Sequence, residues 1–181
     1  MEGGIKAWEG LTAEGPPEAG MAYFTMASGP EELAGLAWAL EEGSRRFYAE
    51  LSGMTDDKDA VKIFQGLAAA EEGHKSALAR LYKDLSAEDS RKPSIASVPS
   101  EESGDFMEGG IRVSNALSWA RGKALRETLE LALSLETNSY DLYLRMGNQI
   151  QEQRARLVFG TIAREEKNHL SRLAALLDVK L

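Results

Sequence analysis

The sequence predicts an all-α protein, a four-helix bundle made of two αα-hairpins joined by a long crossover. Three observations support this fold class. Long stretches consist mostly of Ala, Leu, Glu, Lys and Arg, which favour helix, and there are only 5 prolines in 181 residues. Apolar residues recur in these stretches at spacings of three and four, as in a helix that buries one face. Short links within each half and a long link between the halves give two hairpins.

The first hairpin is predicted over residues 30–85. Its first helix begins at Pro30, because proline suits the first turn of a helix, and runs to about Leu51. Residues 52–56 form a short polar break that contains a glycine. The second helix follows this break and ends near Leu85.

The crossover is predicted over residues 86–122. Residues 86–111 are rich in Ser, Glu, Pro and Gly, which indicates a long connection, and a short helical piece is expected at Ser114–Arg121. Within the connection, Met107–Ile111 repeats the letters of Met1–Ile5, and we interpret this match as coincidence.

The second hairpin is predicted over residues 123–178. Its first helix runs to Met146, where Gly147-Asn148 is expected to stop it. Its second helix runs from about Gln151 to Leu177.

The chain contains an internal repeat, because residues 34–81 and 129–176 align without a gap at an offset of 95. The matching positions are spaced by three and four, as on the inward face of a bundle helix. The matching pairs are Ala34/Leu129, Ala37/Ala132, Glu41/Glu136, Ser44/Ser139, Tyr48/Tyr143, Leu51/Met146, Phe64/Phe159, Leu67/Ile162, Glu71/Glu166, His74/His169, Leu78/Leu173 and Leu81/Leu176.

Carboxylates and imidazoles stand on this inward face where leucine is expected. Four buried carboxylates would each cost several kcal/mol to desolvate, and the inward positions carry no Lys or Arg to compensate. Two divalent cations would balance four negative charges. One Glu from each of two helices, with Glu-x-x-His from each of the other two, is a known ligand set for two metal ions. The predicted ligands are Glu41, Glu71, His74, Glu136, Glu166 and His169.

Carboxylate and imidazole ligands suit two iron ions, with manganese or zinc as alternatives. The competing interpretation is two core histidines and four partly exposed glutamates that bind no metal. Tyr48 and Tyr143 follow Glu41 and Glu136 by seven residues on the same face. They are expected either to donate hydrogen bonds to the ligand carboxylates or to serve as core aromatics. Glu72 and Glu165 point about 100° away from the ligands and are expected at the surface.

Composition excludes several functions. The chain has no cysteine, so disulfides, thiolate catalysis and rubredoxin-type iron sites are excluded. A net charge of −8 argues against nucleic-acid and anionic-membrane binding. No apolar run reaches 18 residues, so no membrane span is expected. No signal peptide is visible, which predicts a cytoplasmic protein.

Leu40-Glu41…Phe47-Tyr48 with Phe64…Glu71-x-x-His74, and its second copy, resemble the rubrerythrin-like proteins of the ferritin-like superfamily over residues 30–178. The resemblance implies a non-haem di-iron site that reduces peroxide or dioxygen with electrons from an external donor. Two features depart from the family pattern. No rubredoxin-type cysteines are present, and Ser139 stands where rubrerythrins carry an additional Glu.

Residues 1–29 form a tail in which Gly3-Gly4-Ile5-Lys6-Ala7-Trp8 resembles the last turn of a rhodanese domain, which implies an upstream rhodanese domain. A homodimer is also expected, because such bundles commonly pair. For function, the first hypothesis is a peroxide- or dioxygen-reducing oxidoreductase. The alternatives are a non-enzymatic iron-binding or sensing module and a metal-free structural bundle.

Overall fold

The computed structural model of this chain describes residues 29–88 and 105–180. Those ranges contain five helices and no β-strand, so the predicted all-α fold is confirmed. The helices are α1 (Pro30–Ser52), α2 (Lys58–Glu88), α3 (Val113–Ala120), α4 (Leu125–Gln149) and α5 (Gln153–Lys180). The tail that resembles the end of a rhodanese domain lies outside the described residues, apart from Gly29.

The four long helices form two hairpins. Helix α1 packs along α2, α4 packs along α5, and the two hairpins meet mainly through α2 and α5. Pro30 occupies the first turn of α1, followed by Glu31 and Glu32, whose negative charges suit a helix N-terminus. The part of the chain that the structure describes contains no helix whose length and hydropathy would let it span a membrane.

The prediction that Gly147-Asn148 stops the third long helix is wrong, because α4 continues through both residues to Gln149. The helix ends where Ile150 adopts an extended backbone. Gly147 is buried, and a Cβ at this position would lie 3.5 Å from the backbone nitrogen of Gly160 in α5. A Cβ at position 147 would therefore be in ordinary van der Waals contact with α5, and this glycine lies inside the helix as any other residue would.

Two apolar clusters fill the core, and a layer of polar side chains lies between them. Each cluster contains one copy of the same aromatic pair. Tyr48 stacks on Phe64 with ring centroids 6.3 Å apart, and Tyr143 stacks on Phe159 at 6.1 Å. The repeat in the sequence is therefore also a repeat in the packing.

The end of the crossover forms a tight turn that docks against the bundle. Phe106 and Arg112 form an isolated antiparallel bridge, and the backbone N–H of Met107 donates to the carbonyl of Ile111 at 2.9 Å. A Cβ at Gly43 of α1 would overlap the carbonyl oxygen of Phe106, so the turn can approach α1 only because this helix position is glycine.

Candidate metal centre

The polar layer between the two apolar clusters contains all six predicted ligand residues. Each long helix contributes to the layer: α1 and α4 provide one Glu each, and α2 and α5 provide a Glu and a His three residues apart. Every one of these side chains is buried, with at most 4% of the residue exposed. The six residues are Glu41, Glu71, His74, Glu136, Glu166 and His169.

The first group of potential ligands surrounds Nδ1 of His74. This atom lies 2.9 Å from Oε2 of Glu71 and 3.2 Å from Oε2 of Glu41. It also lies 3.1 Å from Oε1 of Glu166, which belongs to the other hairpin. One ligand atom from each of the four residues lies within 4.8 Å of the others, a spacing that could hold a metal ion.

The second group surrounds Nδ1 of His169. This atom lies 3.0 Å from Oε2 of Glu136, 3.1 Å from Oε2 of Glu166 and 4.0 Å from Oε1 of Glu71. Its four ligand atoms also lie within 4.8 Å of one another. Glu71 and Glu166 belong to both groups, so the two candidate cation positions share two carboxylates.

Two buried carboxylate oxygens of this cluster have no hydrogen-bond partner among the described protein atoms. They are Oε1 of Glu41 and Oε1 of Glu166. Oε1 of Glu166 approaches Nδ1 of His74, but the orientation does not make a hydrogen bond. A buried oxygen without a partner is costly, and a cation would satisfy both oxygens. Carboxylate with imidazole is the ligand chemistry that iron, manganese and zinc accept, so the residues fit a two-metal site.

The electrostatics of the cluster show the charge that a cation would compensate. Burial and the charges of neighbouring carboxylates raise the pKa of Glu71 and of Glu136 well above the usual value. Burial opposes ionisation of Glu166, but the hydrogen bond from His169 and the close approach of His74 outweigh it and lower the pKa of Glu166. Burial works against protonated histidines, yet the surrounding carboxylates raise the pKa of His74 strongly and that of His169 to about 9. In the metal-free protein, protons on these carboxyl and imidazole groups therefore reduce the repulsion between the buried negative charges. Binding of a metal ion would release these protons.

The rubrerythrin family model matches residues 32–177, a range that covers most of the chain and includes the positions of the six candidate ligands. The chain belongs to the rubrerythrin family. The resemblance that the sequence analysis placed over residues 30–178 is thereby confirmed.

A solved structure gives a further comparison for this chain. A hypothetical protein from Pyrococcus furiosus has a TM-score of 0.64 and 21% sequence identity, over 91% of this chain and 94% of that chain. At this identity the similarity concerns the fold alone. No curated protein matches the chain.

The candidate metal site has an outer contact that the sequence analysis did not predict. Glu165 lies at the surface as predicted, with 51% of its side chain exposed, but its Oε2 lies 2.8 Å from Nε2 of His74. Glu72 is also exposed as predicted, and it pairs with Lys75 at 3.0 Å rather than with a histidine. The helical angle correctly placed both residues outside the core, but the length of a Glu side chain lets Glu165 reach back to the ligand.

The two tyrosines occupy the core, and their predicted hydrogen bonds to ligand carboxylates stay predictions. The hydroxyl of Tyr143 donates to Oε1 of Glu108 at 3.5 Å. The hydroxyl of Tyr48 is buried without a hydrogen-bond partner in the described part of the chain. Burial and the charge of Glu136 raise the pKa of Tyr48, and burial and the charge of Glu41 raise the pKa of Tyr143, so both phenols keep their protons.

Glu108 is a buried acid beside the site that the sequence analysis missed. It lies in the crossover turn, and its Oε2 accepts a hydrogen bond of 2.6 Å from the hydroxyl of Ser44. Burial, followed by the charge of Glu41, raises the pKa of Glu108 to about 8. A single Glu in a segment without helical periodicity carries no sequence signal of burial. The two glycines that follow it, Gly109 and Gly110, do mark a tight turn, since both have positive φ.

Proposed function

We propose that this chain is a non-haem di-iron carboxylate protein that reduces peroxide or dioxygen. The observation that carries the proposal is the sharing of Glu71 and Glu166 between two groups of buried ligand atoms. In each group, one more Glu and one His would complete the protein ligands of one ion. When bound there, two ferrous ions supply the two electrons that reduction of peroxide to water requires.

The protein residues around the site would bind and orient the metals and exclude bulk water. Each His presents Nδ1 to the cluster, and the two imidazole rings lie with their centroids 5.8 Å apart. Apolar clusters lie on both sides of the site and would limit the entry of water, which would strengthen every electrostatic interaction inside it.

Reduction of one peroxide molecule to two water molecules consumes two electrons and two protons. Glu108 and the hydroxyl of Tyr143 hold protons beside the site at neutral pH, because the pKa of each is raised. The proposal requires an external electron donor, because these 181 residues contain no cysteine for a rubredoxin-type iron site. This external donor, the upstream rhodanese domain and the homodimer stay predictions.

Anaerobic stopped-flow measurements test the proposal. The protein is loaded with Fe(II), desalted and mixed with hydrogen peroxide, and absorbance of the ferric product is followed. We expect about two Fe(II) ions to be oxidised per peroxide, much faster than Fe(II) in buffer. The matched control is Glu71→Gln, which removes a shared carboxylate. Oxidation no faster than that of free Fe(II) would overturn the peroxidase proposal.

The alternative function is non-enzymatic iron binding or sensing, and the near-complete burial of all six ligands favours it. The same experiment separates the two functions. A slow single turnover that leaves ferric iron bound to the protein supports iron binding. Repeated turnover with an added reductant supports the oxidoreductase.

A further inference from the structure

The ligands of the site follow the internal repeat, but their surroundings do not. Nε2 of His74 lies 2.8 Å from Oε2 of Glu165, a residue of the opposite hairpin. At an offset of 95, the counterpart of Glu165 is Ala70, which has no carboxylate to offer His169. Nε2 of His169 accordingly has no hydrogen-bond partner among the described residues.

A carboxylate on the outer nitrogen of a ligating histidine changes how that histidine binds metal. The hydrogen bond from Nε2–H fixes the ring orientation and leaves Nδ1 as the ligand atom, and the negative charge makes the imidazole a better donor. Loss of such a partner typically lowers metal affinity about 10- to 100-fold. Within the described residues, a carboxylate supports the outer nitrogen of His74 and not that of His169.

A second asymmetric feature lies on the same side of the cluster. Glu108 binds Ser44, which follows Glu41 by one helical turn, and accepts the longer hydrogen bond from Tyr143. On the other side of the cluster, the hydroxyl of Tyr48, the counterpart of Tyr143, has no hydrogen-bond partner among the described residues. The carboxyl groups of Glu165 and Glu108 therefore both lie next to the cation position formed by Glu41 and His74.

We propose that the two cation positions are inequivalent and that the position of Glu41 and His74 binds a divalent cation more tightly, because Glu165 positions His74. Glu165 is a positioning residue in this proposal, since it acts through the imidazole. The inference rests on the proposed two-metal site and adds an order of loading to it.

Calorimetric titration of the metal-free protein with Co(II), under anaerobic conditions, tests the order of loading. We expect two binding steps whose dissociation constants differ by about tenfold or more. Glu165→Ala should weaken the tighter step by about 10- to 100-fold, and Ala70→Glu should tighten the weaker step. Glu72→Ala is the matched control, because it also removes an exposed carboxylate next to a shared ligand but does not touch a histidine.

Two structural readouts locate the effect. Crystals grown with one equivalent of Co(II) should show anomalous density at the position of Glu41 and His74. In NMR spectra of the fully loaded protein, one paramagnetically shifted imidazole N–H should exchange slowly with solvent. Glu165→Ala should abolish this signal, and Ala70→Glu should add a second one.

Each outcome decides between the proposals. Equal occupancy of both positions, or identical behaviour of Glu165→Ala and Glu72→Ala, overturns the inequivalence and leaves the two-metal site standing. Failure of the parent protein to bind Co(II) at all overturns both.

Discussion

Oε1 of Glu166 lies 3.1 Å from Nδ1 of His74, although the two residues belong to different hairpins. The other carboxylate oxygen of Glu166 lies 3.1 Å from Nδ1 of His169 in its own helix. One carboxylate thus faces both histidines, and the two halves of the repeat meet at this side chain. Removing a shared carboxylate should therefore damage both cation positions, whereas removing an unshared one should damage a single position.

Metal content distinguishes shared from unshared ligands. After anaerobic reconstitution with iron and desalting, Glu166→Gln should lose most of both ions, because an amide is a poor replacement for a bridging carboxylate. Glu41→Gln should retain about one ion per chain, because only one group contains Glu41. Iron is measured by plasma mass spectrometry. Equal iron content in the two variants would contradict the assignment of Glu166 as shared.

The metal-free protein should become more stable when Glu71 is replaced by Gln. Burial and neighbouring carboxylates raise the pKa of Glu71. Without metal, the folded protein therefore places an ionisable acid where its charged form is unfavourable. Gln keeps the shape and removes the ionisable group, which should raise the free energy of unfolding by about 1–4 kcal/mol. Urea unfolding with a chelator present measures this change. Glu72→Gln, an exposed control, should change it by less than about 1 kcal/mol, and an equal effect of both variants would refute the explanation.

The stability of the metal-free protein should depend on pH through Glu108. Its pKa is raised from 4.5 to about 8 in the fold, so the folded state binds this proton more tightly than the unfolded state does. The stabilising contribution is complete below about pH 4.5 and is lost as the pH rises towards 8, by up to about 1.4 kcal/mol per pH unit. The Glu108→Gln variant has no ionisable group at this position and does not lose this contribution. Its free energy of unfolding, relative to that of the parent, should therefore rise between pH 4.5 and pH 8. A difference that stays constant between pH 5 and pH 8 in urea unfolding would show that Glu108 is not a buried acid.

The docking of the crossover turn should depend on Gly43. Alanine is normally the better helix residue, but a Cβ at Gly43 would overlap the carbonyl of Phe106. Gly43→Ala should therefore lower the free energy of unfolding by about 1–3 kcal/mol. The control is Gly73→Ala in α2, where a Cβ meets nothing within 4 Å and should stabilise by about 0.5–1 kcal/mol. Thermal unfolding measures both, and two variants that shift in the same direction would contradict the close contact.

Much of this fold was predictable because helix periodicity is a local property of the sequence. The spacing of three and four residues placed Glu71 and His74 on one helical face, and the repeat placed Glu166 and His169 in the matching position. Charge balance then indicated a cation site without any knowledge of distances. The same local rules misjudged Gly147, because they treat glycine as a helix stop, whereas the helix continues through this buried position to Gln149.

The sequence by itself determined the two hairpins, their internal repeat and the six inward-facing acids and imidazoles, since each follows from residue type and spacing within one helix. Only the tertiary structure decided that Glu165 reaches His74 across the hairpins and that Glu108 is buried beside Glu41. Both facts depend on how separate segments of the chain pack together. The angular position of a residue on its helix does not show how far a long, flexible side chain such as that of Glu165 can reach. A residue in a turn without periodicity, such as Glu108, is buried only because the turn packs against the helices.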